Sequence, residues 1–99
     1  MIRLSEWGTT LGTRNLGEKV RLCLLKEMER SQQPIEVSFK DVFMVSTSFA
    51  DECFGKLIVA IGPQQFREVF SIVDLEDKMI KNVLNSTVKQ RLALSKASQ

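Results

Sequence analysis

Three consecutive hydroxyls, Ser46, Thr47 and Ser48, stand directly before an apolar-periodic segment. Two carboxylates, Asp51 and Glu52, follow within about one turn. Hydroxyls at a helix start can cap free N–H groups or act as oxygen nucleophiles. Nucleophilic use needs a base, and the chain contains no histidine. The same absence removes the commonest metal ligand. A lysine base would have to be buried beside the hydroxyl. Asp51 and Glu52 are neighbours, so on a helix they project about 100° apart and do not make an acid/base pair. The chain has neither a G-x-x-x-x-G-K-[ST] loop nor a G-x-G-x-x-G fingerprint for nucleotide phosphates. Cys23 and Cys53 both fall on apolar helix stripes, which reads as two buried thiols rather than a disulfide or metal pair. The residues therefore argue against an enzyme and offer no cofactor or metal site.

They point instead to a surface. Ser48 is the expected N-cap of the helix, with Asp51 three residues on as a capping-box partner. Phe49 falls at the margin of the apolar stripe, beside Glu52 and Lys56. There it reads as an exposed aromatic anchor for a partner, the alternative being a ring folded over the loop. Glu52 and Lys56 are spaced i,i+4 and suit a solvated ion pair. Gly55 inside a helix costs about 1 kcal/mol relative to Ala, which suggests close approach of another element or a partner. Arg14 follows a glycine-containing loop and could pair with Asp51 or hold an anion, the salt bridge being favoured.

The elements that must position these residues are legible as periodicities. Ile35, Val37 and Phe39 alternate with Glu36, Ser38 and Lys40, the pattern of a strand with one buried face. Val42 to Val45 either extend that strand or pack beneath the loop. Ala50, Cys53, Phe54, Leu57, Ile58 and Ile61 repeat at helical spacing, and Gly62-Pro63 stops them. Val37, Phe39, Phe54, Leu57 and Ile61 are the expected core. Upstream, Ile2 and Leu4 alternate with polar residues in a first strand ending near Trp7. Gly8 to Thr13 is turn chemistry, and a helix capped by Asn15 runs to Arg30. Its stripe is Leu16, Val20, Cys23, Leu24 and Met28, with Leu22 and Leu25 off it. Ser31 to Pro34 is a linker.

Downstream, Gln64 to Glu68 is one helical turn and Val69 to Val73 a third strand. Asp74 caps a last helix whose stripe is Met79, Ile80, Val83, Leu84, Val88 and Leu92. Residues 95–99 should fray. The order β-α-β-α-β-α implies an α/β domain of about three to four mostly parallel strands with three main helices. In such sheets ligands meet the carboxyl ends of the strands, where the Ser46–Ser48 loop lies.

Composition bounds the reading. Ninety-nine residues at 43% hydrophobic and 26% charged suit one soluble globular domain, residues 1–99. A net charge of +2 is too small to argue for nucleic acid. The acid-free stretch from Lys78 onward, with Lys81, Lys89, Arg91 and Lys96, suits a helix C-terminus and has no interleaved aromatic. No signal pattern opens the chain and no apolar run could span a bilayer, so a cytoplasmic location without membrane contact is expected.

The block VSFKDVFMVSTSFADECFGKLIVAIG resembles the core of the STAS fold of anti-sigma-factor antagonists. More specifically it resembles the STAS-like domain family of unknown function, through Ser48-Phe49-Ala50-Asp51-Glu52 and Phe54-Gly55-Lys56-Leu57. Thr13-Arg14 with Leu16-Gly17 also fits that family. The resemblance implies a partner-binding signalling module of the bacterial partner-switching kind, often paired with a histidine-kinase-type ATPase. Antagonists present Asp-Ser-Ser-Gly at this loop and are phosphorylated on its first serine or threonine. Here Ser46 replaces the Asp, Thr47 stands at the phosphoacceptor and Phe49 replaces the Gly. The expected function is a non-catalytic module that binds a protein partner through Thr47, Ser48, Phe49, Glu52 and Lys56, with Thr47 as its phosphoacceptor. The alternatives are a small nucleic-acid-associated protein using its basic C-terminal helix and a structural homodimer subunit. Monomer and homodimer both stay open.

Overall fold

The computed structural model describes residues 1–30 and 34–97, with the side chains of 95–97 left aside. Strand β1 is Ile2–Arg3, and a 3-10 turn, Leu4–Trp7, follows it. Strand β2 is Thr10–Leu11 and helix α1 is Arg14–Arg30. Strands β3, Ile35–Ser38, and β4, Met44–Val45, come next. Helix α2 spans 47–61 in three unbroken pieces: Thr47–Ala50, a π turn at Asp51–Gly55, and Lys56–Ile61. Helix α3 is Pro63–Val69, strand β5 is Phe70–Val73 and helix α4 is Lys78–Ala97.

The architecture is α/β with parallel pairing throughout. One sheet has the order β1-β3-β5 and the other pairs β2 with β4. Ile2 faces Val37, and Val37 in turn faces Ile72, so one apolar row crosses the sheet. Parallel neighbours need long crossovers, which α1 supplies between β1 and β3, and α2 with α3 between β3 and β5. The carboxyl ends of β3 and β5 are tied together. Ser38 Oγ donates to Asp74 Oδ2 at 2.6 Å, and Phe39 N–H donates to the Val73 carbonyl at 3.1 Å. Asp41 and Asp74 turn the chain there in the left-handed region, at φ 63° and 58°, which Asp tolerates better than most residues.

The core gathers around α2. Phe49, Cys53 and Leu57 are completely buried, as are Leu4, Leu11, Val20, Leu24 and Val37. The Phe54 ring lies 5.9 Å from Phe39, 6.5 Å from Phe49 and 6.4 Å from Phe66, in stacked and edge-on contacts. Of the expected core, Val37, Phe39, Phe54 and Leu57 are buried and Ile61 is partly buried against them.

Several local expectations are corrected. The first strand ends at Arg3, and Leu4 is buried in the 3-10 turn instead. The turn-like Gly8–Thr13 contains β2, because Leu11 and Thr10 find partners in Val45 and Met44. Thr13 Oγ1, not Asn15, accepts the Leu16 N–H at 3.1 Å at the start of α1. Ser46, not Ser48, caps α2 by accepting the Phe49 N–H at 3.0 Å, which frees Asp51 from any capping box. Asp77, not Asp74, caps α4, accepting from Met79 and Ile80 at 2.8 and 3.1 Å. Met79, expected on the buried stripe, is instead 77% exposed. The expected single turn after Pro63 is the two-turn α3. α4 stays helical to Ala97 where fraying was expected, and the end of that stretch and most of the 31–34 linker lie outside the described residues.

Candidate functional site

The adjacent carboxylates of α2 serve two different neighbours. Asp51 turns towards α4, where Arg91 donates to it in bidentate fashion, Nε to Oδ1 at 2.5 Å and Nη2 to Oδ2 at 2.8 Å. Arg14, at the start of α1, adds Nη1 to Oδ2 at 2.9 Å. Glu52 turns towards α1. Arg21 Nη1 donates to its Oε2 at 2.7 Å and also to its backbone carbonyl, and Lys56 Nζ donates to Oε2 at 3.0 Å. Arg14 reaches Glu52 Oε1 at 3.4 Å and so joins the two halves.

The electrostatics follow from this geometry. The Arg91 guanidinium, helped by Arg14 and opposed by partial burial, holds the Asp51 carboxyl down at about 2. Arg21 and then Lys56, against the same opposition, hold Glu52 at about 2. The bonds to Asp51 raise Arg14 and Arg91 above their usual range. Cys53 is pushed strongly up by burial and Cys23 is raised for the same reason, so both free thiols are poor nucleophiles.

Two glycines let these helices come close enough. A Cβ on Gly17 would sit 2.9 Å from Glu52 Cβ and 3.0 Å from the Phe49 carbonyl oxygen, so α1 rests against the α2 backbone. A Cβ on Gly55 would meet Arg91 Cγ at 2.9 Å and Asp51 Oδ1 at 3.2 Å. The expected close approach at Gly55 is thus internal, made by the side chains of α4.

The expected site residues separate into three groups. Thr47 is exposed and Ser48 half-buried at the start of α2. Arg14 pairs with Asp51, as its position suggested. Thr47, Arg14, Asp51 and Arg91 line one hollow of about 240 Å³, together with Thr87, Gln90 and Leu94. Lys56 is exposed and bonded to Glu52, but Glu52 is only 7% exposed and clamped by cations from α1, so the pair is not the expected solvated one. Phe49 is the clear correction. It is 0% exposed and cannot anchor a partner from the surface. The π turn is the reason. Residues five apart lie about 140° apart on an α-helix, whereas i→i+5 bonding brings them onto one face. Phe49 therefore joins Phe54 in the core. The exposed apolar residues nearby in sequence are Phe43, 73% exposed, and Met44, 43% exposed, just before the hydroxyl loop.

Arg21 and Arg91 were missed. For Arg21 a signal existed: Arg14, Gly17, Arg21 and Leu24 follow i, i+3, i+7, i+10 spacing, which puts both arginines on the face that packs. Arg91 was indistinguishable from the other cations of the last helix. Among the described residues no cluster of His, Cys, Asp and Glu could hold a metal ion, and no helix is long and apolar enough to cross a membrane. Residues 17–79 match the family described as a STAS-like domain of unknown function. No curated protein and no solved structure matches the chain.

Proposed function

Because the chain belongs to this STAS-like family, we propose that it is a non-catalytic, cytoplasmic regulatory module that binds a protein partner at the start of α2. Thr47 and Ser48 form the centre of the docking edge, and Phe43 and Met44 supply the apolar anchors in place of the buried Phe49. The partner is a histidine-kinase-type ATPase, and Thr47 is its phosphoacceptor. One observation carries this reading. The exposed Thr47 shares a hollow with Arg14 and Arg91, and both guanidiniums already grip Asp51 one turn further on. A phosphate on Thr47 brings about −1.5 to −2 charges at pH 7 and competes with Asp51 for those cations. Attraction to the arginines offsets repulsion from Asp51, so the domain's own stability changes little. A docked partner would instead have to desolvate a dianion, which is costly.

The test is capture of the partner from the native cell on the immobilised chain, with intact-mass measurement of the bait. Thr47→Glu should keep the fold and weaken capture at least tenfold, and Phe43→Asp should do the same. Thr47→Ala should keep both fold and capture. Loss of capture by Thr47→Ala as complete as by Thr47→Glu makes the hydroxyl a contact rather than a switch. Unchanged capture by Phe43→Asp removes this edge as the docking site.

A further inference from the structure

On a different face, α3, β5 and α4 enclose an apolar groove of about 380 Å³. Phe54 and Ile58 of α2 are buried within it, and Phe66, Ile72 and Leu84 form walls that remain partly exposed. Along α4 the apolar wall continues through Val88 and Leu92, both half-exposed. From Leu84 to Leu92 the stripe advances about 12 Å at 1.5 Å per residue. Three exposed cations edge the groove, Lys81 and Lys89 on α4 and Arg67 on α3. Among the described residues, no carboxylate lines it. The cations near α2's carboxylates are paired with Asp51 and Glu52; these three are exposed around an apolar floor.

We propose that this groove docks an acidic amphipathic helix of a partner protein. The charges choose the occupant. Lys81 and Lys89 are eight residues apart, about 12 Å along α4, and Arg67 stands on the other wall. An amphiphile with a single anionic head group offers one charge to this spread of cations. A helix of about three turns covers the stripe and can present carboxylates flanking its own apolar residues to all three, the helix-in-groove mode of recognition. Apolar contact supplies affinity, and the spread of cations sets orientation and rejects basic helices.

The probe is a fluorescently labelled peptide of about 14 residues, with leucines at i, i+3/i+4 and i+7 and glutamates flanking them, read by anisotropy at near-physiological salt. The full chain should bind it at least tenfold more tightly than a scrambled peptide of the same composition. Lys81→Glu combined with Lys89→Glu should weaken binding at least tenfold, and a peptide with lysines for the glutamates should restore it to that variant. Restoration shows that the variant is folded. Thr47→Glu should leave peptide affinity unchanged, which separates this groove from the edge at α2. Equal binding of the scrambled peptide, or no effect of the double reversal, overturns the proposal. Tighter binding of dodecanoate than of the peptide, abolished by one lysine substitution alone, would assign the groove to a single-headed amphiphile instead. Concentration-dependent dimerisation abolished by Leu84→Asp would assign it to a second copy of this chain.

Discussion

The two flanks of α2 use the same parts with only the glycine changing sides. Against α1, the glycine is on the outer helix, Gly17, and the carboxylate on α2, Glu52. Against α4, the glycine is on α2 itself, Gly55, and the outer helix supplies Arg91 to Asp51. The α1 flank is sealed. Its glycine touches α2 backbone, and Val20 and Leu24 are completely buried. The α4 flank is closed along Thr87 and Arg91 but opens into the groove beside Leu84, Val88 and Leu92. Backbone contact leaves no room to yield, whereas contact through a long side chain does. The α1 flank should therefore hold the fold, and the α4 flank should be the adjustable one.

The strongest way to break both flanks is at their common centre. Phe49→Asp places a charge at a position with no exposure, and it should remove cooperative unfolding altogether, at a cost above about 5 kcal/mol. A sharp urea transition near that of the wild type would show that Phe49 is not in the core.

The ion pairs separate the flanks next. Glu52→Gln leaves Arg21 and Lys56 without their charged acceptor and should cost about 1.5–3 kcal/mol. Asp51→Asn should cost less, because Asp51 and its partner Arg14 are more exposed than Glu52 and Arg21. The pH dependence has a defined sign. Both carboxyls are held at about 2, below their ordinary 3.8 and 4.5. The stability they contribute is therefore complete above about pH 4.5 and lost as pH falls through about 2. Urea midpoints measured across that window should fall steeply in the wild type and less steeply in Glu52→Gln. An equal slope in both would separate Glu52 from the acid transition.

The smallest effects discriminate the contacts themselves. Gly17→Ala must push against the Phe49 carbonyl and should cost about 1–3 kcal/mol. Gly55→Ala displaces Arg91 but gains about 1 kcal/mol of helix propensity, so its net effect should stay within about 1 kcal/mol. Thermal melts of the two variants that rank in the reverse order would refute the assignment of the rigid flank to α1.

What the sequence determined by itself was whatever depends on near neighbours. Alternation at Ile35–Phe39 and helical spacing through Leu57 found β3 and α2, because period is a property of a few consecutive residues. Gly62-Pro63 ended α2 because its chemistry is local to the backbone. The order of elements was enough for a parallel α/β arrangement, the residues Ser48–Glu52 and Phe54–Leu57 carried the resemblance to the family, and Arg14 was paired correctly with Asp51. Tertiary structure decided the rest. Ser46 rather than Ser48 caps α2 where its own N–H is held by the Leu11 carbonyl at the end of β4, and Asp77 rather than Asp74 caps α4 because Asp74 sits in the left-handed region bonded to Ser38 of β3. Phe49 changed sides because a π turn alters the phase of the helix, and a fixed step of 100° per residue cannot register one. The most consequential contacts, Arg21 to Glu52 and Arg91 to Asp51, join residues 31 and 40 positions apart. A charge pattern names the candidates for such pairs, but only the packing of α1 and α4 against α2 decides which of them meet.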